Sequence, residues 1–404
     1  MSRFFEGDPL FDEFTALAAG LVRDGGASIG EILATIKEIE PGDDDGWYRA
    51  WLATADRLVA QADASAAGRH PVSAREACLR AGVYYGNAYR PLYGSPVDPR
   101  LLEAFRRQMA ALARAAALFD PPFEPLEIPD ESTTMPGYFV PAPGGGPRPL
   151  LISTNGYDAT ILEMCVGTAL AARRRGYHCL IFDGPGQGGM LLFEQGVAMR
   201  PDWEEVVRPV VDHALARDDV DPARIALTGW SLGGYLAPRA ASGEHRLAAC
   251  LADPGLWGLF RGLKARMAAA GVPQAVIEAL PDVDESALAP VFEGIQADRG
   301  ARWAVARRGL WVQGAGSLTD FVRRSSGYTM DGRAGAIRCP TLIAAAEDDP
   351  LSFSARDLYD ALTCPKTFVR FTSAEGAGEH CAILNRSLFH QRAFDWLDEV
   401  FRQT

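Results

Sequence analysis

The segment Ile225-Ala-Leu-Thr-Gly-Trp-Ser231-Leu-Gly-Gly-Tyr-Leu-Ala-Pro238 decides how the rest of this chain is interpreted. An apolar run typical of a buried strand leads into Gly-x-Ser-x-Gly, and small residues typical of a close-packed helix follow. A turn of this kind is tight, so glycine is needed at positions 229 and 233, where backbone segments approach closely. The helix N-terminus beside the serine stabilises negative charge. The pattern therefore predicts that Ser231 is a nucleophile rather than a serine in an ordinary turn.

A serine nucleophile needs a general base, and after such a turn the acid and then the histidine follow in the chain. Three of the six histidines precede Ser231, and His245 comes before any strand that could present the acid. His390 falls within a predicted C-terminal helix. His380 lies in a glycine-rich loop after the last predicted strand, where it can reach back over the sheet edge. We therefore predict His380 as the base.

The acid is expected at the end of the preceding predicted strand, where the chain reads Ala346-Glu347-Asp348-Asp349. The usual pattern there is a small residue, two variable positions and Asp, which favours Asp349. Asp348 is the main alternative, and Glu347 is less favoured. Since no histidine or cysteine lies close by in the sequence, these carboxylates are not expected to bind a metal.

An oxyanion intermediate needs two backbone N–H donors. The residue after the nucleophile, Leu232, is expected to supply one. The turn Asn155-Gly156-Tyr157-Asp158, which follows an earlier predicted strand, is expected to supply the other from Tyr157. Glu163 either lines the same site or caps the next helix.

The segment Asp183-Gly-Pro-Gly-Gln-Gly-Gly189 contains a literal Gly-x-Gly-x-x-Gly after a predicted strand. Two features argue against a dinucleotide site. Proline occupies the first variable position, and an earlier predicted strand already forms the first strand-to-helix connection, where such a motif is expected. We interpret this turn as structural and expect no cofactor.

Outward from Ser231, strands alternate with helices from about residue 125 onward, which predicts an α/β protein with a mostly parallel sheet and helices on both faces. The predicted strands are 149–154, 178–183, 225–228, 248–252, 341–345 and 367–372. The predicted helices are 161–174, 202–217, 233–242, 354–363 and 383–402.

Two regions depart from this alternation. Residues 1–124 are predicted to form a helical domain, with amphipathic stretches at 8–22, 28–39, 45–66, 71–90 and 98–119. Residues 257–337 contain no clear strand and are predicted to be a helical cap inserted into the core of 125–256 and 338–404. Aromatic residues of this cap can line a pocket or pack in the core: Trp257, Phe260, Trp303, Trp311, Phe321 and Tyr328.

Composition narrows the possible functions. Hydrophobic residues make up 48% of the 404 residues, enough for a sizeable core, and the formal net charge of -12 argues against a nucleic-acid partner. The seven cysteines are scattered without a Cys-x-x-Cys pair, which indicates neither a disulfide framework nor a zinc site. We find no secretory signal and no apolar stretch of about 18 residues. A cytoplasmic location without membrane association is expected.

Four motifs carry a resemblance to a known family: Asp183–Gly188, Arg200–Trp203, Gly229–Arg239 and Glu375–Cys381. They resemble one branch of the α/β-hydrolases, which includes the 2,6-dihydroxypseudooxynicotine hydrolases and fungal hydrolases that shorten polyketide pigment precursors. Esterase-like fermentation–respiration switch proteins are related to it. The resemblance covers most of the chain, including the helical N-terminal region and the cap. One departure is Ala346, where glycine is common.

The resemblance implies a serine hydrolase with a triad at Ser231, Asp349 and His380, and it allows a homodimer. We expect a small-molecule substrate that is an aromatic or polyketide-like ketone or ester. The bond cleaved is expected to be the C–C bond of a β-diketone or acyl-aromatic compound, or an ester or lactone bond. The alternative is a non-hydrolytic cyclase or a regulatory binding protein on the same scaffold.

Overall fold

The computed structural model describes residues 4–131, 133–190 and 196–403. Its centre is an eight-stranded sheet in the order β1-β2-β4-β3-β5-β6-β7-β8, in which β1 and β2 are antiparallel to their neighbours and the other strands are parallel. The strands are β1 Glu124–Asp130, β2 Thr133–Val140, β3 Arg148–Thr154, β4 His178–Phe182, β5 Val220–Trp230, β6 Ala249–Asp253, β7 Thr341–Ala346 and β8 Lys366–Phe371. The predicted fold class, an α/β-hydrolase fold with a mostly parallel sheet, is confirmed.

The six predicted strands correspond to β3–β8, and the hairpin β1–β2 was not predicted. Interior strands such as β4 and β6 are buried at every position and therefore form apolar runs. By contrast, β1 contains Pro125 and Pro129 and lies at the sheet edge, where missing N–H donors are tolerated. In β2, Pro136 and Gly137 interrupt the pattern expected of a strand.

Five helices precede the sheet: α1 Pro9–Gly20, α2 Ile29–Ile36, α3 Asp44–Ala67, α4 Pro71–Tyr89 and α5 Pro99–Ala117. Their starts follow from local chemistry, because Asp8 accepts hydrogen bonds from the first N–H groups of α1 and Asp98 does so for α5. Trp47 and Trp51 of α3 are fully buried between these helices. Each helix lies within a few residues of its predicted range.

The later helices are α6 Ile161–Met164, α7 Leu170–Arg174, α8 Trp203–Leu215, α9 Gly233–Ala241, α10 Leu259–Ala269, α11 Gln274–Ala279, α12 Glu285–Ala297, α13 Arg299–Ala301, α14 Leu310–Val312, α15 Leu318–Ser326, α16 Ala355–Ala361 and α17 Arg386–Gln403. A π-helical segment, 165–169, joins α6 to α7, so the helix predicted over 161–174 is continuous but irregular. We call α10–α15 the inserted helices, because they lie between β6 and β7. The division into three domains stays a prediction.

Side chains alternate between two cores on opposite faces of the sheet. On one face, Leu151 packs with the N-terminal helices and α17. On the other face, Leu150 and Ile152 pack with α8 and α9. The sheet is therefore covered on both faces, and its carboxyl edge remains for a site. Within the described ranges, no helix is long and apolar enough to cross a membrane.

Candidate active site

Ser231 stands on a strained turn between β5 and α9. Its φ of 61° lies in the left-handed region, which side chains other than glycine rarely adopt. Neighbouring glycines permit the turn, because a Cβ at Gly229 would lie 1.8 Å from the carbonyl oxygen of Gly233. The Ser231 N–H donates to the carbonyl of Asp253 at 2.7 Å, which ties the turn to the end of β6. The hydroxyl is thus presented at the carboxyl edge of the sheet.

The structure brings Ser231, His380 and Asp349 together in a hydrogen-bonded line. Nε2 of His380 lies 3.0 Å from Oγ of Ser231, and Nδ1 lies 2.8 Å from Oδ2 of Asp349. Asp349 also accepts from the N–H groups of Leu351 at 2.9 Å and Cys381 at 3.2 Å. Its carboxylate is fixed by three groups, so the imidazole can keep one orientation.

The alternative acids do not contact His380. Asp348 accepts a hydrogen bond from the Ser373 hydroxyl, and Glu347 pairs with Arg370. Asp349 itself is buried, with a fully covered side chain. The geometry of the described residues thus favours Asp349 over both neighbours, and Ala346 in place of glycine does not alter it.

Electrostatics reinforce the contact between His380 and Asp349. Burial would raise the pKa of Asp349, but the hydrogen bond and charge of His380 lower it below the usual carboxyl value. Burial likewise opposes a charged imidazole, yet the hydrogen bond and the charge of Asp349 beside it hold the pKa of His380 above its usual value. Burial raises the pKa of the Cys381 thiol to about 12, so this sulfur stays protonated at neutral pH and is a poor nucleophile.

The backbone after His380 is unusual. Cys381 and Ala382 both have left-handed φ values, 54° and 49°, so the chain turns sharply before α17. Arg386 at the start of α17 donates to the carbonyl of Cys381 at 2.7 Å and to the carboxylate of Asp253 at 2.6 Å. Both side chains of this ion pair are buried, and the carbonyl of Asp253 accepts from Ser231. The pair therefore connects the loop that carries His380 to the turn that carries Ser231, a contact that the sequence did not reveal.

The two predicted oxyanion donors flank the serine. A Cβ at Gly156 would lie 2.9 Å from Cβ of Ser231, so the turn that carries Tyr157 passes directly over the nucleophile. Within the described ranges, neither the Tyr157 N–H nor the Leu232 N–H donates to a protein acceptor. Both amides are thus available to a ligand oxygen.

The glycine-rich turn after β4 supports the turn at Tyr157. Gln187 donates from Nε2 to the carbonyls of Asn155 and Gly156, each at 2.9 Å. Asp183 accepts from Nδ2 of Asn155 at 2.9 Å and from the Gly189 N–H at 3.1 Å. These bonds occupy the polar groups of the segment internally, which agrees with the structural interpretation of this motif.

Glu163 has both of the roles that the sequence allowed, since it caps a helix and lines the site. It accepts from the N–H and hydroxyl of Thr160, which forms a capping box at the start of α6. It also borders the cavity above Ser231 and pairs with buried Arg90 at 3.1 Å.

A cavity of about 1460 Å³ opens above Ser231 and His380. Its walls include α1, α10, the π-helical segment 302–309 and Phe321 of α15. Of the six aromatic residues predicted in the cap, Trp303 and Phe321 line this cavity. Tyr328 is fully buried in the core that contains α8 and α9, and Trp257 and Trp311 pack against the same core. Phe260 packs among the inserted helices.

The sequence predicts α1 as a helix but does not place it at the cavity. It also does not identify three arginines of the cavity wall: Arg90, Arg266 and Arg308. The only sequence signal for the arginines is that each lies in a helix without belonging to a motif. Long-range packing, which the sequence does not reveal, brings them to the site.

One cluster offers ligand atoms of the types that bind metals. Asp349, His380 and Cys381 place a carboxylate oxygen, a ring nitrogen and a thiol within 4.8 Å of one another. Asp349 and His380 already contact each other, and His380 also contacts Ser231, so a metal there would take the imidazole away from the hydroxyl. The expectation of no metal stays a prediction.

Comparison with known proteins decides the family. The model of the alpha/beta hydrolase family matches residues 142–392, which include Ser231, Asp349 and His380. This chain belongs to the alpha/beta hydrolase family.

Relatives of this α/β hydrolase match it over nearly the whole length. It is 32% identical to Hydrolase acrC of Aspergillus aculeatus, over 99% of this chain and 98% of that protein. It is also 32% identical to 20-hydroxy-prefusarin hydrolase FUS2 of Gibberella moniliformis, over 99% and 98%. A crystal structure of 2,6-dihydroxy-pseudo-oxynicotine hydrolase has the same fold, with a TM-score of 0.73 and 24% identity over 94% of this chain and 95% of that one. The predicted resemblance is confirmed.

Proposed function

We propose that this α/β hydrolase is a serine hydrolase in which Ser231 attacks a substrate carbonyl, His380 is the base and Asp349 orients it. The observation that carries the proposal is the line of hydrogen bonds from Ser231 through His380 to Asp349 at the floor of the cavity. Since the imidazole contacts the hydroxyl with one nitrogen and the carboxylate with the other, it can accept the serine proton as the bond to carbon forms.

The N–H groups of Tyr157 and Leu232 stabilise the oxyanion of the tetrahedral intermediate. Collapse of that intermediate breaks the bond to the leaving group, which takes the proton held on His380, and leaves an acyl group on Ser231. A water molecule, deprotonated by His380, then attacks the acyl group and releases the acid. The hydroxyl of Ser231 is restored in this second half.

We further propose that the substrate is an aromatic or polyketide-like ketone, cleaved at the C–C bond of a β-diketone or acyl-aromatic group. A carbon leaving group must depart as an enolate or phenol-stabilised carbanion, and His380 supplies its proton. The cavity volume of about 1460 Å³ exceeds the usual range of about 300–1,000 Å³ for small-molecule sites, which supports a large substrate. The names of the fungal relatives support hydrolysis, and an ester or lactone is the alternative bond.

Labelling with a fluorophosphonate, followed by intact-mass analysis, tests the nucleophile. We expect one adduct on the native chain and none on Ser231→Ala. Adducts on both would place the reactive group elsewhere. No adduct on either would favour the binding or cyclase alternative. Product analysis with matched β-diketones and aryl esters then identifies the bond.

A further inference from the structure

One arginine that borders the cavity near Ser231 and His380 has no hydrogen-bond partner in the part of the chain that the structure describes. Arg266 of α10 lines the same cavity as Ser231 and His380. Within the described ranges, its guanidinium forms neither a hydrogen bond nor an ion pair. A guanidinium presents five donors in a plane, so this side chain can bind an incoming anion without first breaking a protein contact.

A second guanidinium lies on the same wall, next to the oxyanion turn. Arg308 stacks on Trp303 at 4.6 Å and on Tyr157 at 5.2 Å from the ring centres. One of its terminal nitrogens lies 3.1 Å from Asp158, but its Nε is buried without an acceptor. Arg308 is therefore only partly satisfied by the protein.

The carboxylates at this end of the cavity already have partners. Asp158 lies between Arg90 and Arg308, and Glu163 pairs with Arg90 and caps α6. Among the described residues, neither of these two carboxylates forms an ion pair with Arg266. Partial desolvation by the cavity wall and the charge of Arg308 lower the pKa of Arg266, although the side chain stays exposed to solvent and Glu13 and Asp349 partly oppose the shift. An anion bound near both guanidinium groups would relieve their repulsion.

We propose that Arg266, with Arg308 beside it, binds a carboxylate of the substrate, so that the substrate class is a carbonyl compound with a carboxylate away from the cleaved bond. This inference rests on the proposed hydrolase function and specifies its substrate. A planar guanidinium recognises a carboxylate through two parallel N–H···O bonds, which gives orientation as well as affinity. Arg266 is a specificity residue, since it contacts neither the serine nor the oxyanion.

Glu13 of α1 is the competing partner. It lines the same cavity and its charge acts on Arg266, so the two side chains can instead meet and close the cavity. In that case substitution of Arg266 or of Glu13 would alter the turnover of neutral and anionic substrates alike. Carboxylate binding predicts a different result, because removal of Glu13 leaves Arg266 free and removes a repelling charge.

The test measures kcat/KM for matched pairs of esters. The acyl pair is p-nitrophenyl hydrogen adipate and p-nitrophenyl hexanoate, and the leaving-group pair is 4-carboxyphenyl hexanoate and phenyl hexanoate. We expect Arg266→Gln to lower the charged-to-neutral ratio about 10- to 100-fold in at least one pair, since charged hydrogen bonds contribute that much. Arg266→Lys should lose less. The matched control is Lys264→Gln, on the same helix but outside the cavity lining, which should change the ratio less than about twofold.

An unchanged ratio in both pairs for Arg266→Gln would overturn the proposal, as would a Glu13→Gln variant that reproduces its loss. Failure of the hydrolase function would look different. In that case none of the four esters would be cleaved, or the Ser231→Ala variant would cleave them as fast as the native protein. Calorimetry of adipic acid monoanilide and hexananilide with the full chain tests the carboxylate site without catalysis. Arg266→Gln should weaken only the charged anilide, and equal affinities for both anilides in the native protein would contradict the site.

Discussion

The sheet edge and the inserted helices face each other across one cavity, but they are packed differently. At the sheet edge, β6 and α9 are buried at every position, and Ser231, His380 and Asp349 are joined by hydrogen bonds. On the other side, α10, α11 and α12 each bury a single residue, namely Met267, Ile277 and Leu288. The comparison predicts that Ser231, His380 and Asp349 are held rigidly, whereas the inserted helices open at a lower free-energy cost.

The largest expected effect is at the sheet edge. Ser231→Ala should lower kcat/KM by about four to six orders of magnitude, because triad groups act as a unit. The melting temperature should stay the same or rise, since the alanine removes no packing contact. Steady-state kinetics and thermal melting check both parts. Residual activity near the native value would refute the role of Ser231.

Asp349→Asn should lower kcat by about 10⁴-fold, because the amide no longer holds the imidazole in the useful tautomer. The matched control is Asp348→Asn, whose side chain contacts Ser373 rather than His380, and which should change kcat less than about threefold. Equal losses in both variants would break the assignment of the acid.

The pH dependence follows from the raised pKa of His380. The base works only when neutral, so kcat/KM should rise with pH and level off above an apparent pKa higher than the ordinary value of about 6.5. Asp349→Asn removes the charge that stabilises the imidazolium, so its residual activity should rise at lower pH. A pH–rate profile of both proteins checks this prediction. A native profile whose kcat/KM already levels off at or below pH 6 would contradict it.

Breaking the buried Arg386–Asp253 pair tests how the sheet edge is held. Arg386→Met leaves the Asp253 carboxylate buried without its counter-charge, so the free energy of unfolding should fall by about 3–5 kcal/mol. Arg386→Met with Asp253→Asn should recover much of this loss. Denaturant unfolding measures both. An effect below about 1 kcal/mol for the single variant would show that the pair does not stabilise the edge.

The smallest global effect should come from the inserted helices. Leu288→Ala removes the one buried side chain of α12. The free energy of opening that amide hydrogen exchange reports for α10–α15 should therefore fall by about 2–3 kcal/mol. Amides of β5 should keep their protection. Leu227→Ala in β5 is the matched control and should lower protection throughout. If Leu288→Ala also lowers protection in β5, the two regions unfold together and the contrast is wrong.

Much of the fold was predictable because its signals are local. β3–β8 each contain a short run of mostly apolar or β-branched residues, and Asp98 with Pro99 marks the start of α5. The candidate site was predictable for the same reason, since the serine turn, the end of β7 and the loop with His380 each have a local pattern. β1–β2 was not, because Pro125 and Pro129 obscure the strand signal of β1, and Pro136 and Gly137 obscure that of β2. Arg386 and α1 contact residues far along the chain, Arg266 reaches the cavity only through the packing of α10, and no local pattern marks any of them.

The contact between α1 and the base loop sets when activity can first appear during synthesis. Gly20 packs so closely on Ile383 that a Cβ there would lie 2.5 Å from its carbonyl oxygen. α1, one wall of the cavity, is therefore made before Ser231, whereas His380 follows Ser231 by 149 residues. A nascent chain that stops between the two holds Ser231 and an incomplete pocket without the proposed base. The proposed mechanism thus predicts no activity from such a chain until the loop with Ile383 has packed on α1.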